Sequence, residues 1–371
     1  MTTIMIVAGE ASGDLLGADL MKAITSKNPE IKFIGVGGSA MEEQGLKSAF
    51  PLEELAVMGL VEVIPHLPKL SKRLKQLEEL AVSAEIDALV TIDAQAFSAQ
   101  LAKRVKNKLN IPCIQYVAPK VWAWRADRVK KMVQYVDHVL ALLPFEAPYF
   151  EKYGLPCTFV GHPIMQRMKS YIPKKTNICQ GKTLAVFPGS RVTEVKRHWP
   201  IMQKTIEELQ SKIEGLEVIL PIPKGNNEEI KKHLGQIPAN IHLVEGDQRF
   251  EALKNCRAAL GKSGTGNLEL AVMRIPMVVG YKTNWLTYML AKYLVKVPYI
   301  SLVNWVARKK VVPEYIQQEF TPNNLVPALE ELLVDDKVWQ KQADNLALVR
   351  TKLNVQKPAE QAADVVLSYI Q

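Results

Sequence analysis

Cysteine is scarce: four in 371 residues, Cys113, Cys157, Cys179 and Cys256, far apart and without a Cys-x-x-Cys pair. That usage suits a reducing compartment and argues against a structural zinc site. The six histidines show no metal-ligand spacing and no His-Glu-x-x-His occurs, so no metal site is expected. No Gly-x-Ser-x-Gly is present, which argues against a serine hydrolase. The full Gly-x-x-x-x-Gly-Lys-Ser/Thr pattern and Gly-x-Gly-x-x-Gly are missing as well, excluding a Walker loop and the common dinucleotide fingerprint. No apolar run approaches the roughly 20 residues needed to span a bilayer. The start, Met1 to Glu10, has no basic segment and too short an apolar one for a signal peptide. These absences predict a cytoplasmic protein.

What is present describes an ordinary folded chain: 48% hydrophobic and 23% charged residues, with a mean hydropathy of −0.02. Its length predicts two domains, each with its own core. The net charge of +9 hints at an anionic partner, and its placement is informative. Residues 1–165 carry 18 basic and 18 acidic groups. The excess falls in 166–200, with 8 basic against 1 acidic, and in 251–300, with 7 against 2. A further basic block lies at 101–131, with 9 against 1. No nucleic-acid-binding module or base-stacking motif accompanies these patches.

Short β-branched runs alternate with helical patterns. Strands are predicted at Ile4–Val7, Phe33–Val36, Leu60–Ile64, Ala88–Ile92, Cys113–Val117, Val139–Leu142 and Thr158–Val160. Helices are predicted between them, among them Leu15–Ile24, Lys69–Leu80 and Leu101–Leu109. Arg167–Lys182 is polar, basic and aperiodic, like a linker. The alternation then resumes at Thr183–Phe187, Glu217–Pro221, Ile241–Val244, Ala258–Gly261 and Pro276–Gly280. Such alternation makes parallel sheets covered by helices, with ligands at the carboxyl ends of the strands. The expected domains are residues 1–168 and 180–345, each Rossmann-like, with a helical 346–371 that packs on either.

The sharpest motif is Phe187-Pro-Gly-Ser-Arg191, after a strand and before a helix. Gly189 lets a ligand come close, Ser190 is a natural N-cap, the helix start favours an anion, and Arg191 adds a bidentate phosphate donor. Lys262-Ser-Gly-Thr-Gly-Asn-Leu-Glu269 has the same design. Ser263, Gly264 and Thr265 suit a diphosphate, and Glu269 suits the two hydroxyls of a ribose. In the first half, Gly9-Glu-Ala-Ser-Gly-Asp14 joins a strand to its helix, with Ser12 as cap; a plain tight turn is the alternative. Asp93 ends the fourth predicted strand, where a carboxylate is a candidate general base or a helix cap.

Two stretches fit a membrane surface. Leu55–Leu80 sets apolar residues beside Lys69, Lys72, Arg73 and Lys75, and Trp285–Val297 mixes Trp and Tyr with Lys292 and Lys296. Apolar faces rimmed by basic and aromatic residues suit an interfacial helix; amphipathic core helices are the alternative.

Taken in order, these residues resemble the lipid-A-disaccharide synthase family. The resemblance rests on Val7-Ala-Gly-Glu-Ala-Ser-Gly-Asp14, Leu55-Ala-Val-Met-Gly59 with Val61-Glu-Val63, Val121-Trp-Ala-Trp-Arg125 and Leu143-Pro-Phe-Glu146. It continues through Gly161-His162, Pro188-Gly-Ser-Arg191, Ser263-Gly-Thr265 with Leu268-Glu269, and Pro276-Met-Val-Val-Gly-Tyr281. It implies the α/β GT-B fold, two Rossmann-like domains with parallel sheets facing an interdomain cleft. It further implies an inverting transfer from UDP-2,3-diacylglucosamine to 2,3-diacylglucosamine 1-phosphate, at the inner face of the inner membrane and without a cofactor. Under this resemblance Asp93 is the base and Arg191 the essential arginine, with Gly189, Ser190, Ser263, Gly264, Thr265, Glu269 and Asn304 at the nucleotide. Glu10, Ser12, Gly13, Trp124 and Arg125 are assigned to the acceptor, and a homodimer is left open.

The chain departs from the family pattern twice. Ile92-Asp-Ala-Gln-Ala-Phe-Ser98 stands where the family usually has Ile-Asp-Ala-Pro-Asp-Phe-Asn, and Ser301-Leu-Val-Asn-Trp-Val-Ala-Arg308 where it has Ser-Leu-Pro-Asn-Leu-Leu-Ala-Gly. A UDP-N-acetylglucosamine 2-epimerase, another lipid-linked transferase and a catalytically weak UDP-sugar or lipid binder are the competing readings.

Overall fold

A computed structural model describes residues 2–55, 64–123, 126–172, 181–223, 227–294 and 297–370. The chain forms two compact units, residues 1–163 with 355–371, and residues 164–354. In the first, β1 (Thr3–Ala8), β2 (Lys32–Val36), β3 (Ala88–Ile92), β4 (Cys113–Tyr116), β5 (His138–Ala141) and β6 (Cys157–Phe159) lie in the order β2-β1-β3-β4-β5-β6. In the second, β7 (Thr183–Phe187), β8 (Glu217–Ile222), β9 (Ile241–Glu245), β10 (Ala258–Lys262), β11 (Met277–Tyr281) and β12 (Glu314–Ile316) run β12-β11-β10-β7-β8-β9. Every described pairing is parallel.

The central strands read as continuous apolar runs because helices cover both faces, so Ile4 to Ala8 and Ala88 to Ile92 are buried throughout. The covering helices bury one stripe each. Val195, Trp199, Met202, Ile206 and Leu209 do so in the helix Val192–Lys212, at the spacing of a helical face. In each sheet the strand order reverses once, between β1 and β3 and between β7 and β10. Open sheets of this kind bind ligands at such a reversal. Register aligns the strand ends there: Ala8 pairs with Ile92, and Gly261 with Phe187.

The expected strand Leu60–Ile64 lies outside the described residues up to Val63, and Ile64 opens a 3-10 turn. β12 has no counterpart in the sequence reading; it is a three-residue edge strand of half-buried residues. The stretch read as a linker is partly built into the second unit. Met168 is fully buried, Tyr171 packs on Phe250 with ring centroids 5.2 Å apart, and Arg167 pairs with Asp247 at 2.8 Å. The C-terminal helical stretch is two helices, Asp336–Leu353 in the second unit and Pro358–Leu367 in the first. Lys357, at φ +53°, and Pro358 separate the second from the first. The helix Pro358–Leu367 packs on Ala11–Lys27, with Lys27 paired to Asp364.

Candidate active site

In the second unit the loops after β7 and β10 border a cavity of about 880 Å³, lined by Gly189, Ser190, Lys262, Gly264, Thr265, Asn267 and Glu269. Phe187, Pro221, Ile222 and Leu243 supply apolar wall, and Arg167 and Arg249 basic wall. An apolar pocket with a few convergent polar groups is the usual form of a ligand site. Gly189 takes φ +139°, and a Cβ there would stand 2.5 Å from that of Glu194; only glycine fits.

Ser190 does not cap the helix as its type predicts. The N-cap is Arg191, with extended backbone and no side-chain cap bond. The Ser190 N–H instead donates to Glu194 Oε2 at 3.0 Å, a carboxylate reaching back from the first turn in the manner of a capping box. Glu194 Oε1 accepts from Lys262 Nζ at 2.7 Å. Burial opposes its ionisation, but Lys262 and the Ser190 N–H hold its pKa below the ordinary carboxylate value. Arg191 is exposed at the helix start and is not among the residues lining the cavity.

Glu269 reaches the cavity from the first turn of the helix Gly266–Met273. Arg249 grips it through two hydrogen bonds, Nε to Oε2 at 3.1 Å and Nη2 to Oε1 at 2.8 Å. The Ser263 hydroxyl donates to the Ile300 carbonyl at 2.6 Å. Asn304 is not brought to the cavity wall. It is fully buried, accepting from the Val311 and Val312 N–H groups and donating to the Val312 carbonyl and Glu314. Glu314 also accepts from the Ile300 and Ser301 N–H groups, so Asn304 reaches Ser263 only through the fold of that segment. Arg308, where the family usually has glycine, ends the helix Leu302–Ala307 at φ +58°.

Three groups that motif reading passed over complete this side. His198 donates from Nδ1 to the Pro188 carbonyl at 3.1 Å and accepts the Lys282 N–H at Nε2, also 3.1 Å. It thereby ties the loop after β7 to the one after β11 as a neutral ring. Burial keeps its pKa below the usual histidine value. Arg249 is another, and Lys262, which opens the second motif, has no role of its own in the sequence reading. Asn267 is fully buried, and neither polar atom of its side chain has a hydrogen-bond partner among the described residues.

In the first unit the reversal between β1 and β3 brings Gly9 against Ile92 and Ala94, on either side of Asp93 in the chain. The Gly9 N–H donates to the Ile92 carbonyl at 3.1 Å, and a Cβ on Gly9 would collide with that of Ala94. Asp93 and Ala94 take φ +58° and +41°, which is uncommon for residues with a side chain. Burial raises the Asp93 pKa, against the Ala94 N–H and the Lys120 ammonium, which lower it. Val117, after β4, sits at φ +71°, an outlier for a β-branched residue; Gln95 donates to its carbonyl at 3.0 Å. Glu10 is the N-cap of the helix Ala11–Lys27, so Ser12 is not the cap but an exposed first-turn residue, and Gly13 is buried against Ile92. Asp14 of the same motif is buried and accepts the Gly38, Ala40 and Met41 N–H groups. Trp124 and Arg125 lie outside the described residues. Beside them, Trp122 donates to Glu146 at 3.1 Å and the Leu143 N–H donates to the same carboxylate at 3.0 Å.

The proposed membrane stretches are partly described. The helix Leu67–Ser83 buries Leu74, Leu77 and Ala81 in the core and leaves Leu67 52% exposed. Residues 56–63 lie outside the described part. The helix Trp285–Leu294 leaves Trp285 61% exposed, and residues 295 and 296 of that stretch are not described. Among the described residues no helix is long and apolar enough to cross a membrane.

A family model described as lipid-A-disaccharide synthetase matches residues 4–366. A lipid-A-disaccharide synthase of Rhodospirillum centenum is 39% identical over 99% of this chain and 94% of its own length. One of Pseudomonas paraeruginosa is 40% identical over 99% and 98%. Among solved structures, an S. aureus MnaA–UDP co-structure superposes with a TM-score of 0.66 at 16% identity, over 100% of this chain and 97% of that one. The calicheamicin glycosyltransferase CalG4 gives 0.60 at 15%, over 100% and 98%. At those identities the structural likeness is one of fold.

Proposed function

The chain belongs to the lipid-A-disaccharide synthase family and is a glycosyltransferase of lipid A disaccharide synthesis, and from that premise we propose how its residues hold the substrates and carry the transfer. The observation that supports the donor side best is the cavity at the strand reversal of the second sheet. Its polar wall offers backbone N–H groups, Lys262 and a clamped carboxylate, Glu269. These suit the diphosphate and ribose of UDP-2,3-diacylglucosamine. Gly189, Ser190, Gly264 and Thr265 take the phosphates, and Arg191 stabilises the departing UDP as charge develops on its leaving oxygen. Ser263 and Asn304 hold the loop in shape.

Asp93 is the base. It takes the proton of the acceptor 6-hydroxyl while that oxygen bonds to the anomeric carbon, and the bond from that carbon to UDP breaks on the opposite face. The acceptor is 2,3-diacylglucosamine 1-phosphate, with Glu10, Ser12, Gly13, Trp124 and Arg125 at its sugar and phosphate. Leu67 and Trp285, exposed near Lys69, Lys72 and Lys292, support peripheral attachment to an anionic bilayer, where both acylated substrates reside.

An assay of UDP release with the acylated donor and acceptor tests the reading. Release should require both, and Asp93→Ala or Arg191→Ala should nearly abolish it. Full activity in either variant would sink the assigned roles, and release without acceptor would favour an epimerase. Leu67→Gln and Trp285→Gln should weaken co-sedimentation with anionic liposomes; unchanged binding would remove the membrane claim.

A further inference from the structure

We infer that Arg249 is a positioning residue that holds the Glu269 carboxylate ready for the 2′-hydroxyl of a ribonucleoside, an inference that rests on the nucleotide reading of this cavity. Arg249 lies in the short helix Gln248–Leu253, outside every motif described above. Its guanidinium meets both Glu269 oxygens, at 2.8 and 3.1 Å. Its remaining nitrogen, Nη1, donates to the Gly246 carbonyl at 2.7 Å. Its plane is also fixed from the side, because the guanidinium carbon stands 4.3 Å from the centre of the buried Phe250 ring. The guanidinium is therefore held on three sides and fixes the orientation of the carboxylate in turn.

A carboxylate has about four lone-pair positions, and a bidentate arginine uses one on each oxygen. One acceptor position per oxygen remains, pointing outward from the carboxylate, so each oxygen can still take one O–H donor. Both residues line the cavity, and their side chains are only 16% and 12% exposed. Charge neutralisation alone would be met by a lysine. Fixing the plane needs the fork, since an ammonium grips as a single point. The consequence is selectivity: a nucleotide lacking the 2′-hydroxyl leaves one clamped acceptor without its donor.

Calorimetric titration of the full-length protein with UDP and with 2′-deoxy-UDP tests this. Wild type should bind UDP about tenfold more tightly than the deoxy form, the effect of one hydrogen bond to a charged group. In Arg249→Gln that preference should fall towards one, through weaker UDP binding with deoxy-UDP affinity nearly unchanged. Arg249→Lys, which keeps the charge and serves if the glutamine variant does not fold, should lose it too. An unchanged preference, or equal loss for both ligands as from direct phosphate binding by Arg249, would overturn the inference. Failure of wild type to bind UDP at all would overturn the nucleotide reading and this inference with it.

Discussion

Lys262 and Glu194 join the two loops at the strand reversal of the second sheet. The ammonium stands 2.7 Å from one carboxylate oxygen, and the other oxygen accepts the Ser190 N–H at 3.0 Å. A carboxylate thus engages two of the donors proposed above for the phosphates. Arg249 is spent on Glu269 and Arg167 on Asp247. Lys262, paired in the same way with Glu194, is the one of these three cations placed between the loops after β7 and β10.

Lys262→Met should therefore weaken UDP binding about tenfold while leaving uridine binding unchanged, since the loss is a charge-assisted contact to phosphate alone. Titration with the two ligands reads the difference. Equal weakening of both would assign Lys262 to loop structure only.

Asp93 combines a strained backbone with a raised pKa. A base works deprotonated, so kcat/KM should fall as pH drops through that raised value, on an acid limb above the ordinary aspartate range. Asp93→Asn should lower kcat by about 10²–10⁴ with little change in KM. Lys120 lowers the Asp93 pKa, so Lys120→Met should move the acid limb to higher pH. The displacement should shrink with added salt, because Lys120 is exposed. A limb that stays in place in Lys120→Met would assign it to another group.

His198 is a two-ended tie. Its Nδ1–H and its Nε2 lone pair are both used, on Pro188 and Lys282. His198→Ala should destabilise the protein by about 2 kcal/mol or more, from two lost hydrogen bonds and a cavity. The folded pKa lies below the ordinary histidine value of 6.5. Its contribution is therefore complete above that pH and is lost as pH falls through the folded value. Denaturation of wild type and variant should differ most at pH 8 and less at pH 5. A constant gap would mean the ring does not stay neutral.

Much of the fold was legible from alternation of apolar runs. β3 and β7 match their predicted bounds, and most other strands do so within a residue or so. The loops after β1, β7 and β10 were legible as well, because glycine and hydroxyl residues between a strand and a helix have few other uses. Pairings made by tertiary structure were not legible. Glu194 meets Lys262 across 68 residues of sequence, and Arg249 meets Glu269 across 20. Nothing local marks either partner, and Ser190 loses its expected cap to just such a reach by Glu194. Asn304 was found by resemblance, yet the structure spends it on backbone groups of Val311 and Val312. A motif shows that a residue type is needed but not which neighbour uses it.

Glu146 carries the last prediction. It is buried, accepts from Trp122 and the Leu143 N–H, and burial raises its pKa from 4.5 to about 7 against those hydrogen bonds. Because the folded value exceeds the unfolded one, the folded state holds the proton more tightly. The stability this gives is complete below pH 4.5 and is lost as pH rises through about 7. The full span is on the order of 3 kcal/mol. Glu146→Gln removes the titration, so its stability should change less than that of wild type between pH 4.5 and 8. It also exchanges one acceptor oxygen for an amide donor, so either the Trp122 indole or the Leu143 N–H loses its partner. The glutamine variant should then show altered Trp122 fluorescence and slower turnover of the acylated pair, with UDP affinity unchanged. Parallel stability curves for the two proteins would show that Glu146 does not titrate in this range.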